Sequence, residues 1–450
     1  MRSRGLNKLY LVNYSLLIFL SSCSITKEIS KQAETLLIRD SAISPGFIGI
    51  SIYEPAVNKY WYNYNATKYF TPASNTKLFS LYAGLKYLGD SLPGIQYTTI
   101  NDTVFVLPTG DPTLLHPDFT DQPVAGFLKN AHLPIIFSSA NWKVEKFGPG
   151  WAWDDYNDDY MAERNALPVY GNLMTVNFKH ADSKDTARLY QLDLLSPTAI
   201  FNEIRYHPDN TLSNTLIKRQ PDNNNLDVFF SQRKTSFQKQ IPFITNGIST
   251  ALQILHAAYP MVNSAKSIWK GNLSAYKMIR SRPSDSLFRP MMHNSDNFFA
   301  EQTLLMVSNI RLGYMNQKDI IDTILANDLH DIPQLPKWVD GSGLSRYNLF
   351  SPQSFIYILN KMRNEFGWHR LSLILPAGGE GTLRSYYKND SSFIHAKTGT
   401  LSNNCSLSGF LLTHKGKLLI FSILANHYQT GATPVRRAVE RFLEEIRKKY

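Results

Sequence analysis

The chain has 450 residues, of which 43% are hydrophobic and 18% charged, a composition typical of a globular protein and not of a disordered one. Its length exceeds the usual size of a single hydrophobic core, so two or three domains are expected. The formal net charge is +11, but the lysines and arginines are scattered without basic blocks, which argues against nucleic acid as a partner.

The N-terminal segment is typical of a secretory signal. Three basic residues precede an apolar run over residues 9–20, which is shorter than the roughly 20 residues that a membrane-spanning helix needs. The run stops at Leu-Ser-Ser-Cys23, a pattern that resembles a bacterial lipoprotein box. We therefore expect residues 1–22 to be a signal peptide and Cys23 to be the lipid anchor of an exported, periplasmic protein of the cell envelope. An ordinary signal peptide with an incidental cysteine is the alternative.

Cysteine usage limits what can hold the exported chain together. If Cys23 is lipidated, Cys405 is the one cysteine that remains, so no disulfide is available within the chain and the hydrophobic core must stabilise it. We expect Cys405 to be a buried, small apolar side chain.

The first structured elements lead to a serine. Apolar and polar residues alternate over residues 46–53 and 59–64, which predicts a two-stranded hairpin. After Pro72, apolar residues recur at helical spacing until Gly89. Ser74 is thus predicted to lie in the first turn of a buried helix. The apolar positions of this helix are Leu78, Leu81, Tyr82 and Leu85.

The remainder divides into a distinct middle region and a regular end. Residues 90–244 carry short strand-like runs and loop signals, and we interpret them as an inserted accessory region built as two small β-rich domains. Helical spacing returns after it, and three strands then predict an antiparallel meander covered by a final amphipathic helix. These later elements span residues 248–259, 298–310, 393–400, 405–413, 417–425 and 435–446.

A serine three residues before a lysine on a helix places both side chains on one face, where the amine can take the hydroxyl proton. Ser74 and Lys77 have this spacing, but Ser-x-x-Lys occurs seven times in the chain. A serine at a helix start also commonly caps the helix. The pattern alone therefore does not identify a nucleophile.

Two further motifs choose among the seven. Ser295-Asp-Asn297 precedes a predicted helix, and Lys397-Thr398-Gly399 lies on a strand of the meander. In this order the three motifs match the signature of penicillin-binding proteins and serine β-lactamases. The ordered trio, and not any one member, carries the assignment.

Residue chemistry suggests a role for each motif. Lys77 must be neutral to act as a base, and burial together with the Lys397 cation would lower its pKa. Ser295 can pass a proton to the leaving amine, and Asn297 can orient the substrate. The strand of Lys397 and Thr398 can pair with an extended peptide while their charge and hydroxyl hold its terminal carboxylate. Glycine at position 399 would leave room for this approach.

The chain resembles the D-alanyl-D-alanine carboxypeptidase/endopeptidase group of class C low-molecular-mass penicillin-binding proteins over nearly its whole mature length. Residues 110–114, 151–155 and 340–346 also resemble elements of that group. The separation of Ser74 and Ser295 by 221 positions is far longer than a β-lactamase uses. The resemblance implies a mixed α/β fold: a split catalytic domain, residues 23–89 and 245–450, with a central antiparallel sheet and a helical part, interrupted by the inserted region.

The resemblance also implies an activity. The implied activity is that of a serine DD-peptidase of peptidoglycan, which would cleave D-Ala-D-Ala stem peptides, cross-links to a diamino acid, or both. It would need no cofactor or metal, and β-lactams would acylate Ser74. Arg346 and Asp155 would lie near the stem side chain, with a rigid-loop role for residues 340–345 as the competing interpretation. The N–H groups of Ser74 and Thr400 would form the oxyanion hole. The alternatives are a wall-binding lipoprotein without turnover and an esterase or β-lactamase on the same fold.

Overall fold

The computed structural model describes residues 25–180, 190–197, 200, 203–209, 211–231, 236–263 and 276–450. The predicted signal peptide and Cys23 lie outside these residues. Within these ranges, no helix is both long enough and apolar enough to cross a bilayer.

Fifteen strands lie in the described part of the chain. They are β1 (Phe47–Glu54), β2 (Lys59–Tyr64), β3 (Ser91–Ile100), β4 (Thr103–Pro108), β5 (Ile135–Phe137), β6 (Leu173–His180), β7 (Tyr190–Ser196), β8 (Ile204–Pro208), β9 (Leu216–Arg219), β10 (Leu226–Phe230), β11 (Phe237–Pro242), β12 (Lys277–Pro283), β13 (Ile394–Leu401), β14 (Asn404–Leu412) and β15 (Leu418–Asn426).

Helical backbone over residues 25–33 continues into a π-helical turn, Glu34–Ile38. The α-helices that follow are α1 (Lys77–Tyr87), α2 (Pro123–Lys129), α3 (Ser249–Ala258), α4 (Ser284–His293), α5 (Asn297–Leu312), α6 (Gln317–Asn327), α7 (Pro352–Phe366), α8 (Trp368–Ile374) and α9 (Ala432–Lys449).

The central sheet joins the two ends of the chain. Its five strands run antiparallel in the order β13-β14-β15-β1-β2. The predicted N-terminal hairpin, the C-terminal meander and the final helix are confirmed, and so are the two predicted helices that became α3 and α5. The mixed α/β fold class is confirmed as well.

Both faces of this sheet are covered, which explains why nearly every residue of β1, β14 and β15 is buried. Helix α9 and residues 25–38 pack on one face, where Ile50, Val435 and Phe442 are fully buried. Helices α1, α5 and α7 form the core on the other face. Cys405 is a free, buried thiol of β14, as predicted.

Three smaller sheets build the region between α1 and α4. Their orders are β12-β3-β4-β5, β11-β6-β7 and β8-β10-β9. They share a separate core that also contains Leu252 and Leu255 of α3. Two elements beyond residue 244 therefore belong structurally with the inserted strands: α3 packs in their core, and β12 pairs antiparallel with β3.

Helix α1 carries the predicted nucleophile region into the helical core. Leu78, Leu81, Tyr82 and Leu85 are all buried, as their spacing predicts. The α-helix itself begins at Lys77, and Ser74 lies in the 3₁₀ turn Ala73–Thr76 that precedes it. The prediction that Ser74 occupies the first α-helical turn is thus corrected to a tighter turn continuous with the helix.

Candidate active site

The turn that carries Ser74 is held between two other chain segments. Ala73 adopts a left-handed conformation with φ of 49°, which is strained for a residue with a side chain. A Cβ on Gly343 would lie 1.9 Å from the Ala73 carbonyl oxygen, and a Cβ on Gly399 would lie 2.6 Å from that of Pro72. Two glycines thus let a loop and strand β13 press against the serine turn. Gly399 is therefore needed for this packing, and its predicted part in the approach of a substrate stays a prediction.

Lys77 is fully buried at the base of this turn. Its Nζ lies 2.9 Å from Ser74 Oγ, 2.6 Å from Asn297 Oδ1 and 2.8 Å from the carbonyl oxygen of Ser342. Burial lowers the pKa of Lys77 to about 8, although the nearby carboxylates, Asp340 foremost, act in the opposite direction. About a tenth of the amine is therefore neutral at pH 7, and this fraction can act as a general base.

A second lysine and serine face the same place. Lys397 is fully buried and its Nζ donates to Ser295 Oγ at 2.8 Å and to the Thr398 carbonyl at 2.7 Å. Burial lowers the pKa of Lys397 well below its ordinary value, and repulsion from Lys77 lowers it further. Ser295 itself has a φ of 60°. Each of the two lysines thus donates to one of the two serines.

Helix α5 orients the amide of the second motif. Asp296 caps the helix by accepting from the Phe299 N–H at 2.8 Å. This cap fixes Asn297, whose Oδ1 accepts from Lys77 while its Nδ2 donates to the Tyr160 carbonyl at 3.1 Å. Burial raises the pKa of Asp296 to about 6. Asn297 therefore connects the base to a segment of the inserted region.

Strand β13 is the edge of the central sheet. The Ala396 N–H points away from β14 and donates to the Pro376 carbonyl at 3.1 Å. Because successive N–H groups of a strand alternate in direction, those of Thr398 and Thr400 face the same outer edge. The Thr398 hydroxyl is oriented by Thr382 Oγ1 at 2.7 Å. This edge is available to an extended peptide.

A cleft of about 410 Å³ opens above Ser74 and brings the inserted region and the catalytic core together. Asp155 and Arg346 both line it, so the two residues predicted beside the substrate side chain share one cavity with the nucleophile. Loss of solvent raises the pKa of Asp155, and Arg346 opposes this shift. The lining residues are Ser74, Asp155, Tyr160, Asn297, Gly343, Leu344, Arg346, Thr400, Leu401 and Ser402.

Several contacts at this site were not predicted. The Tyr160 carbonyl accepts from Asn297 and the Ser342 carbonyl accepts from Lys77. Any residue type can supply a backbone carbonyl, so the sequence does not indicate these contacts. Thr382 also has no motif that marks it. The run at residues 340–346 was the available signal, because closely spaced glycines in a polar segment indicate a constrained loop. Among the residues that the structure describes, no cluster of three His, Cys, Asp or Glu could hold a metal ion.

Comparisons with known proteins agree with this geometry. The model of the D-Ala-D-Ala carboxypeptidase 3 (S13) family matches residues 30–446. The D-alanyl-D-alanine carboxypeptidase DacB of Haemophilus influenzae is 24% identical, over 86% of this chain and 86% of its own. The penicillin-sensitive carboxypeptidase A of Dictyostelium discoideum is 23% identical, over 85% of this chain and 83% of its own.

A solved structure shares the fold. Penicillin-binding protein 4 (dacB) from Haemophilus influenzae is 20% identical and superimposes with a TM-score of 0.73, covering 93% of this chain and 99% of that chain. Its complex with a β-lactam superimposes with a TM-score of 0.66 over the same shares at 18% identity. With the family match spanning nearly the whole described chain, the conclusion follows that this protein belongs to the D-Ala-D-Ala carboxypeptidase 3 (S13) family.

Proposed function

We propose that this protein is a serine DD-peptidase that cleaves D-Ala-D-Ala stem peptides of peptidoglycan, cross-links between D-Ala and a diamino acid, or both. The reaction passes through an acyl-enzyme on Ser74. The observation that carries the proposal is the buried Lys77 amine 2.9 Å from Ser74 Oγ, combined with membership of the family.

Acylation begins at Ser74. Its Oγ attacks the carbonyl carbon of the penultimate D-Ala, and its proton passes to the neutral amine of Lys77. The carbonyl oxygen becomes an oxyanion, which the N–H groups of Ser74 and Thr400 stabilise. Both N–H groups belong to segments held by close packing, so the donors are in place before the charge develops.

Collapse of the tetrahedral intermediate breaks the carbon–nitrogen bond. The leaving amine takes a proton from the Ser295 hydroxyl, which accepts from the Lys397 amine at 2.8 Å. Ser295 then recovers a proton from the Lys77 ammonium, which had received it from Ser74, so Lys77 is neutral again. Water then attacks the ester carbon with Lys77 as base, which releases the shortened peptide and restores the Ser74 hydroxyl. No group outside the chain is needed for proton balance.

Substrate binding divides between the motif on β13, which holds a group common to these substrates, and two charged residues of the cleft, which select among stem peptides. Lys397 and the Thr398 hydroxyl hold the carboxylate of the leaving D-residue at the edge of β13. Asp155 and Arg346 place one negative and one positive side chain in the cleft. This pair complements a diamino acid side chain that ends in both an amine and a carboxylate, so meso-diaminopimelate should be preferred to lysine in the stem peptide.

The test is labelling and digestion. Purified mature protein is incubated with a fluorescent penicillin, which should acylate the wild type and leave Ser74→Ala unlabelled. Digestion of purified muropeptides, with product identification, then distinguishes loss of terminal D-Ala from cleavage of cross-linked dimers. Equal labelling of Ser74→Ala would contradict the assignment of the nucleophile, and dominant hydrolysis of nitrocefin would favour a β-lactamase.

We further propose that the protein is exported and anchored by a lipid on Cys23. The support is the position of this cysteine where the apolar run of the signal ends. Cys23→Ser should move the protein from the membrane fraction to the soluble envelope fraction and remove labelling by a radioactive fatty acid. Labelling that persists in Cys23→Ser would refute the anchor.

The domain division is also a proposal. The inserted unit predicted at residues 90–244 is better drawn as residues 91–283, because β12 pairs with β3 and α3 packs in the same core. Limited proteolysis should cut near residues 90 and 283, where the inserted core meets the catalytic core, before it cuts near residue 244.

A further inference from the structure

Asp340 is the most heavily hydrogen-bonded carboxylate near the cleft, although it does not line it. Its side chain is completely buried and accepts from side chains and backbone of two separate segments, its own loop and the inserted region. Such a carboxylate is stable without a salt bridge because each oxygen has directed donors. The donors are Gly343 N at 2.8 Å and Asn348 Nδ2 at 2.7 Å on Oδ1, with Ser345 N at 2.6 Å and Trp151 Nε1 at 2.9 Å on Oδ2.

The inward side of this network reaches the base. By binding the N–H groups of Gly343 and Ser345, Asp340 folds the loop so that the Ser342 carbonyl lies 2.8 Å from Lys77 Nζ. The same fold places Gly343 against the Ala73 carbonyl. The position of the Lys77 amine and of the serine turn therefore depends on how this loop is held.

The outward side reaches the cleft wall. Trp151 belongs to the inserted region and stands immediately before the 3₁₀ turn Trp153–Asn157, which carries Asp155. Ser345 Oγ donates to the Pro149 carbonyl at 2.7 Å, next to the same segment. Arg346 follows Ser345 directly. Both charged rim residues are thus attached to the Asp340 network through their neighbours.

We propose that Asp340 is a positioning residue that couples the Lys77–Ser74 pair to the substrate-binding rim. The carboxylate of Asp340 binds on one side the loop whose Ser342 carbonyl contacts Lys77. On the other side it binds Trp151, which precedes the segment that carries Asp155. The inference rests on the proposed function, since it assigns Asp340 a part in that reaction, but it makes separate measurable claims.

The charge of Asp340 determines the direction in which the pKa of Lys77 should change when Asp340 is replaced. The charged groups around the Lys77 amine are Asp340, Asp296, Glu301 and the opposing cation Lys397. Asp340 is foremost among the carboxylates that favour the protonated amine. Removing its charge and loosening the Ser342 carbonyl both favour the neutral amine, so the pKa of Lys77 must fall.

The first experiment measures acylation by a fluorescent penicillin against pH in wild type and Asp340→Asn. The acid limb of the profile should move to lower pH by about 1 unit, while the maximal rate falls. Glu54→Gln is the matched control, because Glu54 is a buried carboxylate that accepts from Trp61 Nε1 at 2.8 Å. This control should leave the profile unchanged. A lower rate with an unshifted limb in Asp340→Asn would mean a merely structural role and overturn the proposal.

A second experiment tests the coupling even if Asp340→Asn does not fold. Trp151→Phe keeps the ring and removes the indole N–H, with Trp61→Phe as its control. Trp151→Phe should raise KM for a stem pentapeptide about threefold and slow acylation by the small penicillin less. Equal changes for both compounds, or none, would refute the coupling. Ser74→Ala in the same assay reports separately on the proposed function, since labelling of that variant would undermine the nucleophile and not the role of Asp340.

Discussion

The active site has two parts with different physical character. The catalytic floor is made of Ser74, Lys77, Ser295, Asn297 and Lys397. Both of its lysines are fully buried, and each donates to a serine hydroxyl and to a backbone carbonyl. The outer rim, made of Asp155, Tyr160, Arg346, Thr400 and Ser402, lines the open cleft, and Tyr160 is 40% exposed.

The difference separates chemistry from selection. A buried amine has a pKa that depends on its neighbours, and its position leaves little freedom, so the floor can support proton transfer but not distinguish substrates. The rim charges are screened by solvent and act mainly on which peptide enters. Substitutions in the floor should therefore change the rate for every substrate, and substitutions in the rim should change the ratio between substrates.

The largest effect is expected from Lys77→Met, which removes the base but keeps the length and burial of the side chain. Acylation by penicillin should fall by about 10³-fold or more, since a positioned base contributes roughly that much. Stopped-flow or gel-based labelling measures it. Lys86→Met on the same helix is the control, because Lys86 is 32% exposed and binds Glu365. An acylation rate of Lys77→Met near that of wild type would contradict the role of Lys77 as the base in the catalytic floor.

The next effect concerns pH. With the pKa of Lys77 lowered to about 8, the amine is protonated below this pH and cannot accept the Ser74 proton. The acylation rate should therefore rise with pH, by about 50-fold between pH 6 and pH 8, following the neutral fraction. Arg346→Gln should keep the same profile, because it belongs to the rim. A flat profile over this interval would show that Lys77 is not the titrating base.

A smaller effect is expected from Gly343→Ala. Its added Cβ would meet the Ala73 carbonyl at 1.9 Å, so the serine turn must move, and we expect acylation to fall by roughly 30-fold through misplacement. Gly416→Ala separates this clash from backbone strain. Gly416 has a φ of 74° with no atom within 4 Å of an added Cβ, and it should retain full activity despite a loss of roughly 1 kcal/mol in stability. Full activity of Gly343→Ala would disprove tight packing at the floor.

The smallest effect belongs to the rim. Arg346→Gln should lower kcat/KM about tenfold for a stem peptide with meso-diaminopimelate, because it loses a contact to the side-chain carboxylate. The value for the lysine-containing peptide should hardly change. Steady-state release of D-Ala from both peptides measures the ratio. A loss that is equal for the two peptides would mean that Arg346 acts on the floor.

Prediction from the sequence worked where local pattern and burial agree. The strands of the central sheet lie between clear turn signals. They carry apolar runs, as in β1 and β15, or mixed apolar and polar residues, as in β2 and β13, so their existence and approximate bounds were predictable. The inserted region was harder, because its short strands pair with partners far along the chain. Strand β12 lies more than 170 residues after β3, and no local signal shows this pairing.

At the site, residue types that act through side chains were predictable and backbone contacts were not. Ser74, Lys77, Ser295, Asn297 and Lys397 meet in the structure as their ordered motifs predicted. The Ser342 and Tyr160 carbonyls were missed, since any residue type can supply a carbonyl. The packing role of Gly399 was also missed, because its partner, the turn after Pro72, is more than 300 residues away in the chain.

By itself the sequence determined the inventory of the reaction: a serine and lysine at helical spacing, a second motif at a helix start, and a third on a strand whose register follows from the meander. Side-chain chemistry and local periodicity are encoded within a few residues, so they can be read without a fold. Only the tertiary structure decided that both lysines lose all contact with water and that Asp340 joins the base to the rim. Burial and hydrogen bonding between distant segments depend on the whole chain, and these two properties set the pKa of the base and the shape of the cleft.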